Sequence, residues 1–163
     1  MREITLYTDG SCHGNPGPGG YAAILIFGKK KKELTGGYRK TTNNRMELLA
    51  AVRGFEALKE PCKVQFYTDS TYVRNGLEKG WAAGWRSRGW KKKDKKMAVN
   101  ADLWNDLLNA VDEHTIEYHW VKGHSGNPLN ERCDELANEQ SLKANALPKD
   151  PGYPEPLIPD SLL

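Results

Sequence analysis

A chain of 163 residues with 38% hydrophobic content and a mean hydropathy of −0.72 can bury one domain's core. It holds no run near the ~18 apolar residues of a membrane span, which argues against a membrane partner. The net charge is only +3, but it is uneven: Arg86 to Lys96 carries seven basic residues and one acid, and Gly28 to Lys32 carries four lysines, an asymmetry that suits a polyanionic partner. Cys12, Cys62 and Cys133 are scattered without a paired motif, so neither a disulfide framework nor a zinc site is expected; with no apolar leader in MREITLYTDG, the expected place is the reducing cytoplasm.

In chain order, Ile4 to Asp9 alternates and predicts a first strand. Gly20 to Phe27 predicts an apolar central strand and Glu33 to Arg39 a third, with Gly28 to Lys32 as the turn. The period then changes. From Asn43 to Glu60, residues Leu48, Ala51, Val52, Phe55 and Leu58 form one helical stripe, which Pro61 ends. Val64 to Asp69 predicts a fourth strand, and Ser70 to Glu78 a short helix capped by Ser70 or Thr71. Trp81, Trp85 and Arg88 share a helical face, which predicts a short helix followed by a basic loop.

Ala101 to Val111 predicts a helix with Leu103, Trp104, Leu107, Leu108 and Val111 inward and Asn100 as its cap. Thr115 to Val121 alternates as a fifth strand, GHSGNP is a loop, and Leu129, Cys133, Leu136 and Ala137 mark a last helix. Trp104 and Trp120 are expected in the core. The final stretch, after Ala146, holds five of the nine prolines and can form neither a helix nor a central strand. The expected division is a folded unit over 1–143 and a flexible or loosely packed proline-rich tail over 144–163. The order of elements implies an α/β fold: a five-stranded mixed sheet, an antiparallel meander extended through helical crossovers.

Two predicted strands stop on similar sequences, Tyr7-Thr8-Asp9-Gly10-Ser11 and Tyr67-Thr68-Asp69-Ser70. If those strands are adjacent and parallel, both acids face the crevice where ligands of open α/β sheets gather; either alone could equally start a turn. Glu47 lies on the edge of the apolar helical stripe and could be pressed into the same crevice, although Asn44 to Glu47 also has capping-box spacing. Asp134, flanked by Cys133 and Leu136, lies near the margin of its helix's apolar face, or is simply a solvated acid. Converging carboxylates raise one another's pKa. A hard divalent ion would relieve this, and oxygen ligands favour Mg2+ or Mn2+ over zinc.

The segments YTDGSCHGNPGPGGYAAIL, TTNNRMELLAA, YTDSTYV and VKGHSGNPLNERCDELA, in this order and spacing, resemble the successive motifs of bacterial type 1 ribonuclease H. The resemblance runs from about Ile4 to Ala137. It implies a hydrolase that cuts the RNA strand of RNA–DNA hybrids internally and without sequence preference. Two Mg2+ ions, with Mn2+ able to substitute, would act with the substrate and leave 5′-phosphate and 3′-hydroxyl ends. It implies that Asp9, Glu47, Asp69 and Asp134 hold the ions, Glu47 also helping to hold the attacking water. His124 would pass a proton or help release the product phosphate, as an imidazole titrating near ~6.5 can. His13, His114 and His119 have no comparable setting.

The same resemblance implies a substrate face. Asn15, Asn43 and Asn44 match minor-groove and sugar contacts, where the 2′-hydroxyl distinguishes RNA from DNA; as asparagines they could also be turn or cap residues. Trp81, Trp85, Arg86, Arg88, Lys91, Lys92, Lys95 and Lys96 match a basic protrusion that holds the DNA strand, and the two tryptophans could equally be core. Thr42 and Asn100 match a pocket for a DNA phosphate two nucleotides from the cut. Two positions depart from the family: Thr71 replaces a common glutamine, and Lys40 an arginine, losing bidentate geometry. A monomer is expected. The competing readings are a DNA-cutting nuclease of the same fold and a binding module without chemistry.

Overall fold

The computed structural model describes residues 1–121 and 126–153. The strands are β1 (Arg2–Cys12), β2 (Gly17–Phe27), β3 (Lys30–Thr41), β4 (Cys62–Thr68) and β5 (Thr115–Trp120). The helices are α1 (Asn43–Glu56), α2 (Thr71–Glu78), α3 (Trp81–Ser87), α4 (Ala101–Val111) and α5 (Pro128–Ser141). The strands form one sheet in the order β3-β2-β1-β4-β5. β1, β2 and β3 pair antiparallel, and β4 and β5 join in parallel. This is the expected meander with parallel additions. No helix among the described residues is long and apolar enough to cross a membrane.

Alternation along the strands builds two cores. Leu6, Ala23, Leu25 and Phe66 face α1 and α4 and pack with Leu48, Val52, Phe55, Trp104 and Leu107. Tyr7, Ala22 and Ile24 point to the opposite face and meet Cys133, Leu136 and Ala137 of α5. A helical layer on each side of a sheet explains why β1 and β2 are apolar on both faces.

The first three strands run further than their hydrophobic patterns suggest, because ladder hydrogen bonds tolerate glycine and polar residues where pairing continues. Asp9 therefore lies inside β1, opposite Ala22 of β2, and not at the strand's end. α1 ends at Glu56 rather than Glu60; Leu58 leaves the helix yet still packs on the core. Its cap is Thr42, whose hydroxyl accepts from Arg45 N–H at 3.3 Å, so the Asn44–Glu47 capping box does not form. Ser70 caps α2 through Val73 N–H, whereas Asn100 precedes α4 at φ 63° without a side-chain cap bond.

Trp104 is fully buried, but Trp120 is 51% exposed. It is the last residue of an edge strand, beyond the cover of the helices. The described part of the tail, 144–153, is packed more firmly than expected, and the rest of the expected tail lies outside the described residues. A short 3-10 turn spans Ala144–Ala146, Arg39 N–H donates to Pro148 O at 2.9 Å, and Leu147 and Asp150 are buried. Ion pairing of Asp150, which composition does not reveal, holds this stretch to the body.

Candidate metal centre and nucleic-acid face

The parallel β1–β4 ladder ends at the pair Tyr7 and Tyr67. Asp9 and Asp69 each follow that pair by two residues, so the register sets them side by side where the strands part. α1 supplies the third acid through close contact with β1. A Cβ on Gly10 would stand 2.4 Å from Glu47 N and 2.5 Å from the Met46 carbonyl carbon. Only glycine lets the first turn of α1 press onto the strand and carry Glu47 to Asp9.

Carboxylate oxygens of Asp9, Glu47 and Asp69 lie within 4.8 Å of one another. Asp9 and Glu47 are buried. Burial, then the charges of Asp69 and Asp134, pushes Asp9 up to about 8. Burial, then Asp9 and Asp69, holds Glu47 well above the usual carboxylate range. Gly10 N–H donates to Asp9 Oδ1 at 2.9 Å, a partial offset. Glu47 Oε2 is buried without a hydrogen-bond partner among the described residues. A buried orphan acceptor among crowded acids calls for a cation, and the all-oxygen donor set fits a hard divalent ion.

Asp134 is exposed on α5, on the solvent side of the margin expected for it, yet it is near enough to help push the Asp9 carboxyl up. It lies outside the set of three whose oxygens all converge. His124 falls outside the described residues.

Beside the acids, Asn15 Oδ1 accepts from Asn43 N–H at 3.1 Å, tying the glycine-proline loop to the start of α1. Asn15, Asn43 and Asn44 are exposed. With Thr42 and Asn100 they line a cavity of about 510 Å³. Lys40 instead lines a neighbouring hollow with Arg39 and Asn145. Cavity and acids thus border the same α1 start, which supplies Thr42 on one side and Glu47 on the other.

The basic segment is more ordered than a loop. Lys91 and Met97 form an antiparallel bridge, and Lys92 N–H donates to Lys96 O at 2.8 Å, making a small hairpin after α3. Arg88, Lys91, Lys92, Lys95 and Lys96 are exposed on it; Arg86 donates to Asn109 Oδ1 at 3.0 Å. The tryptophans divide. Trp85 is half-buried and meets Trp104 edge-on at 6.0 Å, whereas Trp81 is 48% exposed with Lys79 Nζ 5.1 Å from its ring centroid. Trp81, Trp85, Arg88 and Lys92 line one cleft. Sequence reasoning missed Arg45, which lines the asparagine cavity and is buried by ion pairs. Its position in an ordinary helix start carried no signal.

The chain resembles known proteins throughout. The RNase H family model matches residues 1–142. A protein named Ribonuclease H from Nitratidesulfovibrio vulgaris (strain DSM 19637 / Miyazaki F) is 55% identical over 155 residues, covering 95% of this chain and 99% of its own. One of the same name from Syntrophus aciditrophicus is 52% identical over 154 residues, covering 94% and 88%. Among solved structures, LC9-RNase H1, described as a type 1 RNase H with the type 2 active-site motif, superposes with a TM-score of 0.78. It is 30% identical and covers 89% of this chain and 74% of its own. LC11-RNase H1, crystallised with an RNA/DNA hybrid, superposes at 0.63 over 86% of this chain and 98% of its own; at 23% identity it shows a shared fold.

Proposed function

This chain belongs to the RNase H family, a family of hydrolases, and on that premise we propose that it cuts the RNA strand of RNA–DNA hybrids internally by two-metal-ion catalysis. The observation that carries the reading is the convergence of Asp9, Glu47 and Asp69 from β1, α1 and the end of β4, with Asp134 of α5 beside them. These four acids would hold the ions, Mg2+ in the first place and Mn2+ as a substitute. When bound, the pair would supply an activated water and stabilise the leaving oxygen of an in-line displacement, leaving 5′-phosphate and 3′-hydroxyl ends.

Around that centre the protein's own groups bind and orient. Asp9 and Asp69 would hold the ions most directly, and Glu47 would also help to hold the attacking water. His124 moves a proton or aids release of the product phosphate. Asn15, Asn43 and Asn44 face the minor groove and its 2′-hydroxyls. Thr42 and Asn100 anchor a DNA-strand phosphate. Arg86, Arg88, Lys91, Lys92, Lys95 and Lys96 bind the DNA backbone by charge, without sequence preference. Trp81 packs on deoxyriboses, and Trp85 supports it from the core side. Residues 1–143 form the catalytic unit and 144–163 its tail. The enzyme works as a monomer in the cytoplasm, and its free thiols at Cys12, Cys62 and Cys133 suit a reducing compartment.

The test is cleavage of end-labelled RNA–DNA hybrid beside duplex DNA, with Mg2+ or with EDTA. Cutting of the RNA strand only, abolished by EDTA, is expected. Cutting of duplex DNA would instead favour a DNA nuclease, and Mg2+-supported binding without cutting a passive module.

A further inference from the structure

Arg45, near the start of α1, is 2% exposed. A buried guanidinium is costly unless its donors are satisfied, and here all five N–H groups are used. Nε and Nη2 donate to Asp150 Oδ2 and Oδ1 at 2.7 and 3.0 Å. Nη2 and Nη1 donate to Asp102 Oδ2 and Oδ1 at 2.6 and 2.8 Å. The remaining Nη1 hydrogen goes to Asn100 Oδ1 at 3.2 Å. Although Arg45 lines the cavity that holds Thr42 and Asn100, it has no donor left for a nucleic-acid phosphate.

Its partners show what it does instead. Its backbone N–H donates to Thr42 Oγ1, which leaves the Thr42 hydroxyl hydrogen to donate outward. Its guanidinium fixes which way the Asn100 amide faces. Asn100 Nδ2 then donates one hydrogen to Tyr72 Oη at 3.1 Å and retains a second. Thr42 and Asn100 come from distant parts of the chain, and Arg45 touches both.

The tail completes the lock. Asp150 is 3% exposed and, besides Arg45, accepts from Thr41 Oγ1 at 2.7 Å and from Gly152 N–H at 2.9 Å. One carboxylate thereby joins the end of β3, the start of α1 and the tail. Gly152 lies against the ion pair: a Cβ there would meet Arg45 Nη2 at 2.0 Å and Asp102 Oδ2 at 2.1 Å.

We infer that Arg45, clamped between Asp102 and the tail carboxylate of Asp150, is a positioning residue that sets Thr42 and Asn100 at the spacing a DNA-strand phosphate requires. The inference rests on the reading of Thr42 and Asn100 as a phosphate anchor. It gives residues 150–152 a part in substrate registration, beyond holding the chain end down.

The test uses the full chain and a hybrid whose DNA strand carries one uncharged methylphosphonate, with cleavage mapped at every position. In the wild type, the cut that places the methylphosphonate in the anchor falls about tenfold relative to the other cuts, the scale of a charge-assisted hydrogen bond. Asp150→Asn and Gly152→Ala, each assayed where circular dichroism shows it folded, reduce that position-specific penalty to about twofold. On unmodified hybrid they raise KM several-fold with kcat within about twofold. Partial unfolding lowers all cuts together and leaves the ratio alone, so the ratio separates positioning from stability. A folded variant of either kind that keeps the full penalty would overturn the role of Arg45 and Asp150 while sparing the anchor. A wild type with no position-specific penalty would remove the anchor itself, and this inference with it.

Discussion

Asp69 and Asp9 illustrate how one carboxylate differs from the next by what surrounds it. Asp69 sits at the mouth of the cluster, and Asp69→Asn keeps its volume while removing a charge that would face the ions. Cleavage of hybrid is expected to fall by about 10³-fold or more, an effect of roughly 4 kcal/mol, while hybrid binding in a filter assay changes little, since the basic hairpin is untouched. Wild-type turnover in that variant would end the metal-centre reading. His124→Ala is expected to be slowed about 10²-fold, in line with loss of a proton-transfer group, and not inactivated.

Asp9 makes a separate prediction about stability. Its folded pKa, pushed up to about 8, exceeds the ordinary value, so the folded state holds its proton longer than the unfolded chain does. Metal-free protein is therefore most stable below about pH 4 with respect to this group, and loses stability as pH rises from there to about 8. Asp9→Asn abolishes that loss and is expected to stabilise metal-free protein on the order of 2–4 kcal/mol at pH 8. Thermal melts in EDTA across pH check the sign. Adding Mg2+ to the wild type is expected to raise the melting temperature more at pH 8 than at pH 5, because the acids must ionise to hold it. Asp102 runs the other way: the Arg45 hydrogen bonds hold its pKa down, so its contribution is present above the usual carboxylate range and fades as pH falls through the lowered value.

Among the elements, α1 is the one on which the site turns. Its apolar stripe buries Leu48, Ala51, Val52 and Phe55 against the sheet, and this anchors the helix. Its start is then fixed by Thr42 as cap, by Gly10 beneath it and by Arg45 within it. Gly10→Ala would drive a methyl into the Met46–Glu47 backbone. It is expected to cost about 2–4 kcal/mol, as overpacking at a rigid contact does, and to lower activity in the fraction that still folds. Urea melts measure the first effect and initial rates the second. Thr42→Val removes the cap oxygen at nearly constant volume and is expected to cost about 1 kcal/mol.

At the scale of the whole molecule, charge is segregated. Three acids gather where β1 and β4 part, and Lys91, Lys92, Lys95 and Lys96 are exposed on the hairpin after α3. If this hairpin holds the hybrid as proposed, binding releases counterions and hybrid affinity is expected to fall steeply with salt. Replacing Lys91, Lys92, Lys95 and Lys96 with Gln is expected to weaken binding and to flatten the log K against log salt slope by about 0.7–0.9 for each phosphate that the hairpin no longer neutralises. Titrations at several salt concentrations check this. An unchanged slope would take the hairpin out of the interface.

Much of this architecture could be written from the sequence. Alternation and helical stripes report burial directly, and they determined the chain order of strands and helices, the inward faces of α1, α4 and α5, the strand that carries Asp9 and the strand that ends one residue before Asp69. Periodicity is a local quantity, fixed by how each element meets its core. The tertiary structure decided what depends on juxtaposition. The parallel register sets Asp9 beside Asp69, Gly10 admits Glu47, and the edge position of β5 leaves Trp120 in solvent. The described start of the proline-rich segment, expected to lie loosely, is fastened through Asp150 to Arg45, and an ion pair between residues far apart in sequence leaves no periodic trace in either segment.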